Sequence, residues 1–200
     1  MDSEQHWEQV YRTKRTDAVS WFRPHLDTSL ALIGQAGVAA HAPILDVGGG
    51  ASTLVDDLVA AGYTDLTVLD ISTAALDAAR ERLGPRGSAI TWVAADATRV
   101  DLPRDYFQVW HDRAVFHFLT DPKDRRRYVE QVLHAVSPGG HVIVATFGPD
   151  GPERCSGLPT NRYDADALHA QFGSDFELVD RRAERHRTPG GVDQEFVYCL

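Results

Sequence analysis

The sequence predicts an α/β protein built around a doubly wound, mostly parallel sheet. Three observations lead there. Short β-branched apolar runs alternate with longer stretches whose apolar positions recur at helical spacing, as in strands joined by crossover helices. One run, Ile44-Leu45-Asp46-Val47, passes into Gly48-Gly49-Gly50 and then into a helical stretch beginning near Ser52 or Thr53. Further on the alternation stops, and two runs joined by Thr188-Pro189-Gly190-Gly191 read as an antiparallel hairpin at the sheet edge.

Taken in order, helices are expected over 5–11 and 28–35, separated by the turn Ser20-Trp21-Phe22-Arg23-Pro24. Inner strands are expected at 43–47, 66–70, 90–94, 107–111 and 141–147, with helices between them at 53–61, 74–83 and 125–136. In the last of these helices Tyr128, Val129, Val132, Leu133 and Val136 share a face, while Arg125, Arg126, Arg127 and Glu130 look outward. Asp121-Pro122 is its start signal and Pro138-Gly139-Gly140 its stop. A loop rich in Gly and Pro follows over 148–159, then a helix over 165–172 and hairpin strands at 176–186 and 194–200. With no repeat, long linker or low-complexity tract, residues 1–200 read as one domain, a helical cover over 1–40 and a core over 41–200.

Composition limits what such a domain does. The 200 residues are 43% hydrophobic and 24% charged, and at this length roughly 70% of the unfolded surface can be buried in one core. Lys and Arg number 20 against 29 Asp and Glu, a formal charge of −9. An acidic chain lacks the general attraction to phosphate backbones, so no nucleic-acid partner is expected. No apolar run reaches the roughly 18 residues that span a bilayer, and the polar start Met-Asp-Ser-Glu-Gln-His-Trp-Glu lacks the pattern of a secretory signal. Cys155 and Cys199 are too few for a disulfide framework or a four-cysteine zinc site, and a reducing cytoplasm is the expected setting. His134, His141, His169 and His186 lack ligand spacing, so no metal is expected. There is no Gly-x-Ser-x-Gly elbow of a hydrolase.

The glycine turn permits a tight strand-to-helix connection and close approach of a ligand to the backbone. Gly48 and Gly50 match the first pair of a Gly-x-Gly-x-x-Gly dinucleotide fingerprint, but Thr53 stands where the third glycine belongs. An NAD(P)-dependent oxidoreductase is therefore the weaker reading. Asp46 precedes the turn, Asp70 closes the second strand and Asp96 the third, so all three converge beyond the carboxyl ends of the strands. Each is also a candidate helix cap, Asp96 most of all.

On these residues the chain resembles the class I S-adenosylmethionine-dependent methyltransferases, over nearly its whole length. Asp46 with Gly48 and Gly50 matches the first motif, Asp70 the acidic end of the second strand, Asp96-Ala97 the pair after the third, and Pro138-Gly139-Gly140 the turn before the fifth. The resemblance implies a Rossmann-like sheet of seven strands, with S-adenosyl-L-methionine as cofactor and S-adenosyl-L-homocysteine as product. It implies that Asp46 and Gly48, Gly49 and Gly50 line the methionine moiety, that Asp70 binds the ribose, and that Asp96 meets the adenine amine. Ser52, Ile71, Ala97 and Trp21 complete the expected cofactor-binding set. Trp21 and Phe22 either anchor an N-terminal helix or shield the sulfonium through cation–π contact. An acidic mouth suits a cationic donor better than a phosphate-bearing dinucleotide.

The stretch after the fourth strand gathers His111, Asp112, Arg113 and His117. His111 is the expected base if the acceptor must lose a proton, and Arg113 is the second expected catalytic residue. A local Asp112–Arg113 ion pair and a surface His117 are the structural alternatives. Cys155, Arg162 and Tyr163 are further candidates for acceptor contact. No Asn-Pro-Pro-Tyr or Asp-Pro-Pro-Tyr motif occurs. The Trp7, Tyr11, Trp21, Phe22 run is similar to that of small protein-lysine methyltransferases acting on elongation factor or citrate synthase. Those usually carry Asp-Lys-Gly where this chain has Asp112-Arg113-Ala114. The expected activity is methyl transfer to a small molecule by direct displacement. A protein side chain is the second expected acceptor, and a non-catalytic module that only binds the cofactor is a further alternative.

Overall fold

The structure, a computed structural model, describes residues 3–200. Helices α1 (Ser3–Thr13) and α2 (Asp27–Gln35) precede β1 (Ile44–Val47). Then come α3 (Leu54–Ala60), β2 (Leu66–Asp70), α4 (Thr73–Leu83), β3 (Thr91–Ala94), β4 (Phe107–Arg113), α5 (Pro122–Ala135) and β5 (Val136–Phe147). The chain continues through the short pair β6 (Arg154–Cys155) and β7 (Leu158–Pro159), helix α6 (Ala165–Phe172), and the hairpin β8 (Arg181–Arg187) and β9 (Asp193–Cys199).

Seven strands form one sheet in the order β3-β2-β1-β4-β5-β9-β8. The first five are parallel; β9 runs antiparallel to β5, and β8 antiparallel to β9. The chain therefore winds outward from β1 to β3, then restarts at β4 on the other side of β1. That reversal opens a crevice beyond the carboxyl ends of β1 and β4. Register fixes what meets there: Asp46 lies beside Val68 and His111, and Val47 beside Leu69 and Asp112.

Strands β1 and β2 are buried along their whole length, which is why they read as unbroken apolar runs. On one face Ile44, Val68, Val109 and Ile143 pack with Leu32 and Ile33 of α2, Leu54 and Leu58 of α3 and Leu76 of α4. On the other, Leu45, Val47, Trp110 and Val144 pack with Tyr128 and Val132 of α5 and Leu168 and Phe172 of α6. This is the doubly wound arrangement the alternation predicts.

The departures are local and have physical causes. Helix α5 starts at Pro122, where the Asp121 side chain caps Lys123 N, rather than at 125. Leu133 is 44% exposed, so it does not belong to the buried face, and Arg125 bonds Gln171 and the Leu119 carbonyl instead of simply facing water. The Pro138-Gly139-Gly140 turn does not separate helix from strand; it bulges out of β5, whose pairing with β4 runs through Val136 and resumes at His141. The 148–159 loop contains the β6–β7 pair. The strand expected from 176 begins only at Arg181, the partner of Cys199, because β9 ends there. Asp112 and Arg113 do not pair with each other, and His117 is fully buried rather than on the surface.

Candidate active site

The site is built first from backbone. Gly48 leaves β1 with φ +69°, and its N–H donates to the Leu69 carbonyl at 2.7 Å. A Cβ at Gly48 would overlap Val115, one at Gly49 the Asp46 carboxylate, and one at Gly50 would lie 2.5 Å from Ala75 Cβ. Three successive positions thus exclude any side chain, and the loop runs past the strand ends as bare main chain.

Three acids frame this loop. Asp70 accepts from Gly50 N at 3.0 Å through Oδ2 and from Ser72 N at 2.8 Å through Oδ1. Burial pushes its carboxyl up to about 6, against the pull of those amides. Asp96 closes a turn, Oδ1 accepting from Thr98 N at 2.8 Å and from Thr98 Oγ1 at 2.7 Å. Asp46 is 3% exposed. Its Oδ1 lies 2.7 Å from His111 Nδ1, and His111 Nε2 lies 2.9 Å from Ser29 Oγ. Nδ1–H thus donates to the carboxylate, while Nε2 shares a hydrogen bond with the Ser29 hydroxyl.

A cavity of about 230 Å³ opens above the strand ends. Gly48, Asp70, Ile71, Asp96 and Ala97 line one end. Trp21, Phe118, Phe147, Arg113 and Cys155 line the other, and Trp7 and Tyr11 of α1 contribute to its wall. The rings are mutually edge-on: Trp7 to Phe118 at 5.1 Å and Trp7 to Trp21 at 5.7 Å. Helix α1 is held over the cavity by Glu8, whose Oε2 accepts from Ser72 Oγ at 2.7 Å and Ala74 N at 3.1 Å. Those bonds hold the Glu8 carboxyl below the usual range.

Of the expected site residues, Asp70, Ile71, Asp96, Ala97, Gly48, Trp21 and Arg113 border this cavity. Asp46, Ser52 and His111 border a smaller one beside it. Gly49 and Gly50 lie in the loop between. His111 is 1% exposed and is not among the residues lining the larger cavity. Tyr163 is buried beside Phe116, at 6.0 Å between rings, and Arg162 pairs with Glu153 at 3.0 Å. Sequence reasoning set Trp7 and Tyr11 in an N-terminal aromatic cover without naming them as site residues, although their spacing of four puts both on one helix face. It also left out Phe118 and Phe147, which carry no motif.

Arg113 is bound on three sides: Nε donates to Tyr198 OH at 2.9 Å, Nη1 to the Trp21 carbonyl at 3.1 Å, and Nη2 approaches Glu184 at 3.5 Å. Burial alone pushes the Glu184 carboxyl up, but the Thr28 hydroxyl, Arg113 and Arg23 outweigh it and hold the carboxyl low. Nearby, burial drives His117 down to about 3, with the Arg113 charge adding to it, and Phe147 N donates to its Nδ1. Burial also raises the Cys155 thiol. Among the described residues, no group of three or more His, Cys, Asp or Glu is placed to hold a metal ion.

Residues 44–140, from β1 through the β5 bulge, match the family model described as a methyltransferase domain. Over these residues the chain is similar to methyltransferase domains, as the motifs in its sequence lead one to expect. Its cofactor, S-adenosylmethionine, fits the residues present: a glycine cradle, two carboxylates at strand ends, and an aromatic wall for a sulfonium. The domain is 27% identical over 136 residues to the eEF1A lysine and N-terminal methyltransferase of Mus musculus, a match covering 67% of this chain. The Homo sapiens protein is 25% identical over 139 residues. The chain spans about a fifth of those relatives, 19% of each. Among solved structures, the Burkholderia thailandensis 1,6-didemethyltoxoflavin-N1-methyltransferase superposes with a TM-score of 0.72 at 19% identity, over 98% of this chain and 85% of that one. That neighbour was crystallised with bound 1,6-didemethyltoxoflavin and S-adenosylhomocysteine. A structure from work on conversion of a disulfide bond into a thioacetal group during echinomycin biosynthesis reaches 0.81 at 19% identity, over 99% and 91%.

Proposed function

We propose that the domain transfers a methyl group from S-adenosylmethionine to a small-molecule acceptor by direct displacement. The observation that carries this reading is the shape of the larger cavity. Acids at one end suit a ribose and an adenine amine; aromatic rings line the other; and α1 lies across it, leaving space suited to a small acceptor. When bound, the cofactor supplies an electrophilic methyl carbon on a positively charged sulfur. The chain's own residues bind, orient and exclude water. Asp70 accepts the ribose hydroxyls, Asp96 and Ala97 border the adenine, and Trp21, Phe118 and Phe147 keep the reacting end dry. Holding the acceptor in line contributes about 7–11 kcal/mol toward the barrier in well-oriented systems. In this reading His111 fixes Asp46 behind the loop instead of acting on the acceptor, because both ring nitrogens are taken. Arg113 shapes the acceptor end by holding the Trp21 carbonyl.

A protein side chain is the second reading, favoured by the likeness to the eEF1A lysine and N-terminal methyltransferases. The two free, buried cysteines suit a reducing, cytoplasmic setting. Among the described residues no helix is long and apolar enough to cross a membrane. The test is transfer of tritium from methyl-labelled cofactor into a cell extract, separated into metabolite and protein fractions. Label in the metabolites is expected. Label confined to protein moves the reading to the second acceptor class. Cofactor binding with no label in either fraction leaves a module that binds and does not catalyse.

A further inference from the structure

The aromatic end of the larger cavity presents a cation and nothing that collects a proton near neutral pH. Asp70, Asp96 and Arg99 stand at the opposite end, the last two paired with each other. Asp124, at the outer edge, is 40% exposed and pairs with Arg127. Among the described residues, that leaves Tyr11, Cys155 and Arg113 as the titratable groups of the wall beside the rings. Burial pushes the Tyr11 hydroxyl and the Cys155 thiol up, so both keep their protons. Three buried histidines lie behind the wall and none borders the cavity. His111 has both ring nitrogens engaged. Burial drives His117 down to about 3, and its Nδ1 already accepts from Phe147 N. Burial lowers His186 as well, and its Nε2 donates to the Ser20 carbonyl.

The cation itself is only partly neutralised. Arg113 shares its one acidic partner with a second arginine: Arg23 Nη1 lies 3.0 Å and Arg113 Nη2 3.5 Å from Glu184 Oε1. Asp27 is 3.7 Å from Arg23, but its side chain is 77% exposed and therefore well screened. One carboxylate thus faces two cations, and a positive charge is left over. Arg113 spends its Nε–H on Tyr198 and one Nη1–H on the Trp21 carbonyl. A guanidinium carries five N–H donors, so even with Nη2 turned to Glu184 two remain for another acceptor.

Rings at Trp21, Phe118 and Phe147 favour a flat guest over a flexible chain. We propose that the methyl acceptor is a small aromatic molecule whose nucleophilic atom is ionised, a phenolate, thiolate or azolate, with Arg113 pairing with its charge. The inference rests on the methyltransferase reading above and narrows its acceptor class. The acceptor's lone pair forms the new bond to the methyl carbon, the carbon–sulfur pair stays on sulfur, and the negative and positive charges cancel. No proton is released in that step, so none needs a base. Beside a guanidinium the acceptor ionises more readily than in water, and a dry wall strengthens the pairing. An ammonium meets a like charge there and finds no group to take its proton, so the site rejects it.

The test is titration of the full chain, saturated with S-adenosylhomocysteine, with three probes of similar shape. 4-Nitrophenol is an anion when ionised, 4-nitrobenzyl alcohol is neutral, and 4-nitrobenzylamine is a cation. By calorimetry at about pH 8 the wild type is expected to bind the phenolate about tenfold or more tighter than either of the others. The phenolate is yellow, so absorbance follows its ionisation directly. When bound, its midpoint is expected to fall by about one pH unit or more from that in water. Arg113→Met is expected to remove both effects and Arg113→Lys to restore part of each. The wild-type comparison decides without any variant. Equal binding of the alcohol or the amine, an unmoved midpoint, or no binding of any probe overturns the proposal, and so does an Arg113→Met protein that holds S-adenosylhomocysteine and keeps the preference. If the wild type does not bind S-adenosylhomocysteine, it is the methyltransferase reading itself that fails.

Discussion

At Gly48 two demands coincide: a left-handed backbone, and a Cβ direction already filled by Val115. Gly48→Ala is therefore expected to lower stability by about 1–3 kcal/mol and to abolish S-adenosylhomocysteine binding, as read by urea denaturation and calorimetry. Undiminished affinity in a folded variant would contradict the role given to the loop. Asp70 carries a pH dependence whose sign follows from its environment. Burial favours the protonated form and pushes its carboxyl from the ordinary 3.8 up to about 6 in the folded chain. In the free protein, ionising this group therefore costs stability as pH rises from about 4 to 6. Ribose hydroxyls donate to the ionised form, so cofactor affinity is full near pH 7 and weakens as pH falls through 6. A dissociation constant that stays flat between pH 5 and 8 would remove Asp70 from the ribose contact.

Among the elements, α1 is the one held mainly from outside itself. It buries Val10 as its apolar anchor, and Glu8 ties it to the start of α4. Losing a cap of this kind costs about 1 kcal/mol. Glu8→Ala is expected to speed tryptic cleavage after Arg12 and Lys14, with S-adenosylhomocysteine slowing it again; equal rates in both proteins argue against the tether. Elements with local signals were legible in the sequence. The strand-glycine-helix unit, the Asp121 cap and the acids closing β2 and β3 are all written within a few neighbouring residues. What stayed hidden depends on distant partners. The start of β8 is set by where β9 ends, and Arg23 meets Glu184 across 161 positions of chain. Local periodicity contains no trace of either. The acids of the site, with Arg113 and Trp21 beside them, were therefore readable, while Arg23, Phe118 and Phe147 were not.

Across the whole molecule, Glu184 is the knot. It accepts from Thr28 at 2.5 Å and from Arg23 at 3.0 Å, and Arg113 and Tyr198 stand beside it. Glu184→Gln leaves the buried Arg113 guanidinium and the half-buried Arg23 without their shared carboxylate and is expected to cost about 3–5 kcal/mol in urea-unfolding free energy. A change under about 1 kcal/mol would show the cluster to be well hydrated. Ligand linkage acts at the same scale. S-adenosylhomocysteine at 100 times its dissociation constant is expected to add about 2.7 kcal/mol, roughly 5–10 °C in melting temperature for a chain of this size. NAD at equal concentration is expected to add nothing; the reverse result would restore the oxidoreductase. The same knot orders events in time. A ribosome delivers Ser20, Arg23 and Thr28 early, yet their partners His186 and Glu184 emerge some 160 residues later. The nascent protein can thus wind most of its sheet while its mouth stays unformed, and competence to hold a ligand arrives all at once with the closing hairpin.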